Sequence, residues 1–127
     1  MRDVSTAGHE LSRAELTGLP DTLTLGELLQ ARIHTDVERY NADPGPVFHG
    51  LVQPADAMRY SDGLRMPQPR TLDAESFLAA ARQAVAAGLL AFRLGDEVTA
   101  DLSYLVDLTV HDEVTAVLRR PVVARSG

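Results

Sequence analysis

The sequence predicts an α+β domain, a mixed sheet of four to five strands packed on a helix, with an inserted segment carrying a second helix. Three observations predict it. Residues 25–40 and 73–89 repeat apolar side chains at helical spacing between capping signals. After Leu89 the period changes to two. The string Asp-Glu-Val-Thr-Ala then occurs twice, at 96–100 and 112–116, and each copy joins an acidic turn to a β-branched strand start.

The elements follow in order. Arg2–Pro20 reads as a hairpin with a turn at Gly8 and His9, and Leu11, Ala14 and Leu16 alternate only imperfectly. Thr24 and Glu27 form a capping box for a helix whose stripe is Leu25, Leu29, Ile33, Val37 and Tyr40, widened by Leu28. Glu27, Gln30, Arg32, Asp36 and Arg39 are expected mostly on its wet side. Asn41 and the run Asp43-Pro44-Gly45-Pro46 stop it. From Val47 to Arg70, prolines and glycines break any long element, although Phe48, Tyr60 and Met66 keep the stretch apolar. Such a segment is expected to pack on the core or on a partner, with short turns of helix or strand. Thr71 or Asp73 caps the second helix, Phe77, Leu78, Ala81, Val85 and Leu89 form its stripe, and Gly88 ends it. Gly95-Asp96 and His111-Asp112 are turns. Val114, Ala116 and Leu118 form one face of the closing strand, and Thr115, Val117 and Arg119 the other. The first and last strands are expected to run parallel in the middle of the sheet, a pairing that needs a long crossover.

Composition removes several function classes. The 127 residues fit one domain able to bury roughly two thirds of its unfolded surface. There is no Cys, which excludes disulfides, thiolate metal sites and Cys nucleophiles. All 12 basic residues are Arg, so catalysis by Lys is excluded. The net charge of −6, with no basic stretch, argues against nucleic acid as the main partner. No apolar run approaches the ~20 residues that span a bilayer, and the first ten residues lack the apolar core of a secretory signal. A cytoplasmic, bacterial-type protein without membrane contact is expected. His9, His34, His49 and His111 lack metal-ligand spacing. No nucleophile elbow or phosphate loop is present. Neighbouring carboxylates, Asp96-Glu97 and Asp112-Glu113, project to opposite sides of a strand and do not converge. The expectation is a protein without an activity, cofactor or metal of its own.

The stretch "FRLGDEVTADLSYLVDLTVHDEVTAVLRRPVV" resembles the C-terminal part of small bacterial sulfur carriers of the molybdopterin-synthase small-subunit and thiamine-carrier type, within the ubiquitin-like β-grasp superfamily. Ala91–Leu94, Gly95, Asp101-Leu102, Asp112-Glu113-Val114 and Pro121-Val122 carry the likeness. "TLTLGELLQARI" resembles the start of the family's main helix. The matched pieces cover somewhat under half the chain. Two features depart from the family: the segment of about 43–89 is longer than a carrier needs, and the tail reads Ala124-Arg125-Ser126-Gly127 instead of Gly-Gly. The resemblance implies a β-grasp sheet and two functions. One is a non-catalytic protein-interaction module of a bacterial multi-protein system. The other is a protein modifier or sulfur carrier whose Gly127 carboxylate, beside Ser126, is activated by an adenylating enzyme. A third reading, from the residues, is a small-molecule-binding domain with its pocket under the insertion. Candidate partner-binding residues are Thr115, Val117, Arg119 and Arg120 on the closing strand, where an arginine pair can clamp a carboxylate, and Phe48, Tyr60 and Met66 in the insertion.

Overall fold

The structure, a computed structural model, describes residues 1–45, 47–54, 58–60, 63–65 and 71–124, with only the backbone at 58–60 and 63–65. The chain runs β1 (Arg2–Ser5), β2 (Glu10–Arg13), β3 (Thr22–Thr24), α1 (Leu25–Ala42), β4 (Val47–Phe48), β5 (Val52–Pro54), β6 (Met58–Tyr60), β7 (Gly63–Arg65), α2 (Ala74–Ala86), β8 (Leu90–Leu94), β9 (Glu97–Thr99), β10 (Leu105–Asp107), β11 (Thr115–Leu118) and β12 (Val122–Ala124). The main sheet has five strands in the order β2-β1-β11-β8-β9. Its central pair, β1 and β11, is parallel, as the sequence predicts, and its other pairs are antiparallel. The fold class is α+β with a mixed sheet.

Local chemistry sets the helix ends. Thr24 Oγ1 accepts from the Glu27 amide at 3.0 Å and Glu27 Oε1 from the Thr24 amide at 3.0 Å, the predicted capping box. Two more first-turn amides, of Leu25 and Gly26, donate to the carbonyls of Tyr104 and Leu102, which pins α1 to the segment after β9. Asp73 caps α2, and Gly88, with φ +76, provides the left-handed residue that ends it.

One core joins all of this. Leu25, Leu28, Leu29, Ile33, Val37 and Tyr40 of α1 pack with Phe77, Leu78, Ala81, Ala84 and Val85 of α2 and with Leu90, Phe92, Leu94, Ala116 and Leu118 of the sheet. Each fully buried Leu or Ile contributes about 1.5–3 kcal/mol. The segment expected to be an insertion is part of this core, because Phe48, Leu51, Val52 and Leu72 lie in the same cluster. Asn41 fastens it: its side chain donates to the Leu72 carbonyl at 2.9 Å and accepts from the Leu72 amide at 2.8 Å. The irregular stretch holds short strands, with β4, β7 and β6 forming one small sheet and β5 pairing with β12. Residues 122–124 are therefore held in a parallel pair, with Val122 and Ala124 buried.

Candidate functional site

The inner face of the sheet is fixed by Ala116, Leu118, Phe92 and Leu90, all in the helix-covered core. Successive side chains on a strand alternate, so Arg2, Val4, Thr115, Val117, Ala91 and Arg93 belong to the outer face. Pairing register lines five of the outer residues into one row across the strands: Arg13, Arg2, Thr115, Arg93 and Val98. At about 4.8 Å per strand, Arg2 and Arg93 straddle Thr115 roughly 10 Å apart. The next row is more apolar, with Val4, Val117 and Ala91.

The row holds three cations and incomplete neutralisation. Glu10 Oε1 lies 2.9 Å from Arg13 Nη2 and makes a hydrogen bond with it. From Arg2 Nε, Glu10 stands 3.9 Å and Glu113 3.7 Å away, both beyond hydrogen-bond reach. That Nε is buried without a hydrogen-bond partner among the described residues. Arg93 has no ion pair among them. Thr115 is 6% exposed, and no hydrogen bond of its hydroxyl occurs among the described residues. Val98, at the open edge, is 62% exposed.

The structure distributes the sequence-predicted site residues differently. Thr115 and Val117 lie on the outer face, but Thr115 is the covered centre of the row and not a projecting contact. Arg119 and Arg120 are exposed beyond the end of β11. Phe48 is a core residue, 2% exposed, with edge-on contacts to Tyr40 and Phe77 at 5.5 and 5.7 Å between ring centres. It offers no surface to a partner. The side chain of Tyr60, and Met66, Ser126 and Gly127 entirely, lie outside the described residues. No group of three or more His, Asp or Glu able to hold a metal occurs among the described residues, and no helix among them is long and apolar enough to cross a membrane. A shallow groove of about 520 Å³ runs between α2 and β12, lined by small side chains such as Ala79, Ala80 and Val123.

A second constellation overturns one expectation. Arg32 and Asp36, assigned to the wet side of α1, are buried at 0% and 3% exposure. The Arg32 guanidinium donates through Nη1 and Nη2 to the two oxygens of Asp3 at 2.7 and 2.6 Å, and through Nε to Asp36 at 2.9 and 3.0 Å. Ser12 Oγ donates to Asp3, and the Leu51 amide donates to Asp36 at 3.0 Å. Gly50 makes room for this: a Cβ there would stand 2.7 Å from the Phe48 ring and 3.0 Å from Asp36. One cation faces two carboxylates, so the ionised cluster carries one net negative charge. Burial pushes the Asp36 carboxyl above its ordinary range, against the opposing pull of Arg32 and the Leu51 amide. For Arg32, burial works against the charged form, and the charges of Asp3 and Asp36 outweigh it, raising its pKa. The cluster joins β1, β2, α1 and the Gly50-Leu51 turn, and is closed to water. It organises the fold beneath the sheet, while the Arg2–Thr115–Arg93 row faces outward.

Neither the known protein families, nor the curated proteins, nor the solved structures compared with this chain provide a match.

Proposed function

We propose that this protein is a non-catalytic interaction module on a β-grasp-like frame, and that it docks to a protein partner through the outer face of its five-stranded sheet. The frame has the features that the sequence resemblance implies: an N-terminal hairpin, a helix in the crossover, and a parallel pair at the sheet centre. The observation that carries the docking role is the outer row, in which Arg2 and Arg93 flank a covered Thr115 and end at the exposed Val98. Flanking Val117 and Ala91, both half-buried, add apolar area, so the face combines aliphatic area with guanidinium anchors, a mixture suited to protein contacts.

The test compares immobilised wild-type protein with Arg93→Glu and Val98→Asp in capture from a lysate of its own source, read by quantitative mass spectrometry. Arg82→Glu, exposed on α2, is the charge-matched control. Proteins retained by wild type and Arg82→Glu are expected to fall about tenfold on both face variants. An identical retained set for all four proteins sinks the reading.

A further inference from the structure

We infer that the partner presents an acidic, extended protein segment, with one of its carboxylates seated between Arg2 and Arg93 above the Thr115 hydroxyl. This rests on the docking role proposed above and adds the chemistry of what docks.

Three residues of the row carry donors that other described residues leave partly unused. Arg2 Nε is buried without a hydrogen bond, and the two glutamates beside it stop at 3.7 and 3.9 Å. A buried donor left without a partner carries its full desolvation cost. Arg93, on the other side, has no ion pair among the described residues, and the Thr115 hydroxyl between them has no hydrogen bond there. Guanidinium groups present planar forks of N–H donors that match a carboxylate, and a hydroxyl can donate to the same oxygen. An acceptor anion arriving from solvent meets the Arg93 guanidinium, the exposed part of the Arg2 guanidinium and the Thr115 hydroxyl together, while the buried Arg2 Nε stays out of its reach.

Charge narrows the arriving group further. The whole chain carries −6, so an acidic partner is repelled over most of the surface and attracted to this row. The repulsion fixes orientation as well as identity. The neighbouring aliphatic side chains of Val117 and Ala91, with Val98 at the row's end, favour a chain that alternates carboxylates with apolar side chains. Inorganic phosphate has nothing to place on that strip.

The probe is an N-acetylated hexapeptide of alternating Glu and Val, titrated into the ¹⁵N-labelled full chain. Saturable shifts are expected at the amides of Arg2, Thr115, Arg93 and Val98. Affinity should weaken about tenfold or more in Arg93→Glu and in Arg2→Gln, weaken with added salt, and hold in Arg82→Glu. Each variant's amide spectrum checks that it is folded. Shifts centred elsewhere, affinity indifferent to Arg93→Glu, or the same shifts from inorganic phosphate at equal concentration would each overturn the inference. The two proposals fail separately. If Val98→Asp abolishes lysate capture while Arg2→Gln and Arg93→Glu leave it intact, the docking face stands and the carboxylate seat falls. If the peptide binds as expected but capture ignores every face variant, the seat stands and the docking role falls.

Discussion

Residues 2 and 3 of β1 face opposite sides of the sheet, and so do residues 115 and 116 of β11. On the inner side Asp3 meets Arg32, whose guanidinium is spent on two carboxylates with no exposure to water. On the outer side, one residue away, Arg2 and Arg93 flank Thr115 with their charge only loosely answered. The same residue type thus does two jobs within one strand spacing. An arginine enclosed by carboxylates fixes elements to one another. One held in a sheet row, short of its acceptors, remains available to something outside. Burial and neutralisation, not residue type, separate the two sites.

The largest expected effect breaks the inner site. Arg32→Ala leaves Asp3 and Asp36 buried without their cation, and loss of one member of a buried ion cluster costs about 3–5 kcal/mol. Urea unfolding followed by circular dichroism measures it. A cost below about 1 kcal/mol would mean that the two carboxylates find water or protons easily, and the contrast between the faces would weaken.

The repeated Asp-Glu-Val-Thr-Ala string supplies a second, smaller test, because only one copy feeds the middle of the sheet. In the second copy Val114, Thr115 and Ala116 are covered, whereas in the first Val98 is largely exposed on the edge strand β9. Ala116, with no exposure, lies beside Asp3 and Phe92. Ala116→Leu overpacks that position and is expected to cost about 1–3 kcal/mol. Ala100→Leu, the same change at the equivalent letter, should stay within about 0.5 kcal/mol. Equal costs, read from paired denaturation midpoints, would show that the five letters and not their neighbours set the environment.

Local signals made the frame legible, and distant partners hid the sites. The Thr24–Glu27 box, the α1 stripe and the Asp73 cap are written within a few residues of where they act. The parallel central pair follows from the order of the elements. Arg32 and Asp36 look like a surface pair at i,i+4, and nothing within α1 reveals that Asp3, 29 positions earlier, closes over them. The outer row is similarly invisible, since its arginines come from residues 2, 13 and 93 and never form a basic run. Charge composition alone therefore described an acidic molecule and missed a basic line across it. Phe48 misled for the same reason: its proline-rich surroundings suggest surface, and its ring partners, Tyr40 and Phe77, come from the two helices.

Acid titration sharpens the inner site further. Because burial raises the folded-state pKa of Asp36, the folded chain binds that proton more tightly than the unfolded chain. Its favourable contribution is present in full below the ordinary carboxyl range, about 4, and is lost as pH rises through the higher folded value. Glu27, Asp101 and Asp107 work the other way. Local hydrogen bonds lower their pKa values, so their stabilisation is present above the ordinary range and disappears as pH falls through the folded values. Asp36 thus partly offsets acid destabilisation in the wild type. Asp36→Asn removes the offset and is expected to lose stability more steeply between pH 7 and 4, relative to its own value at pH 7. Parallel curves from urea titrations across that range would contradict the assignment.

The smallest stability change belongs to the outer site, and its smallness is informative. Thr115→Val exchanges a hydroxyl for a methyl group of similar shape. If that hydroxyl already had a protein partner, the exchange would strand the partner and cost about 1 kcal/mol or more. None occurs among the described residues, so the folded protein should change by no more than about 0.5 kcal/mol. Glu-Val peptide affinity should fall several-fold in the same variant, since the seat loses one of its three donors. Stability that holds while binding drops separates a group kept for an outside acceptor from one kept for the fold. A stability loss above about 1 kcal/mol with unchanged peptide affinity would place Thr115 with Arg32, on the structural side of the comparison.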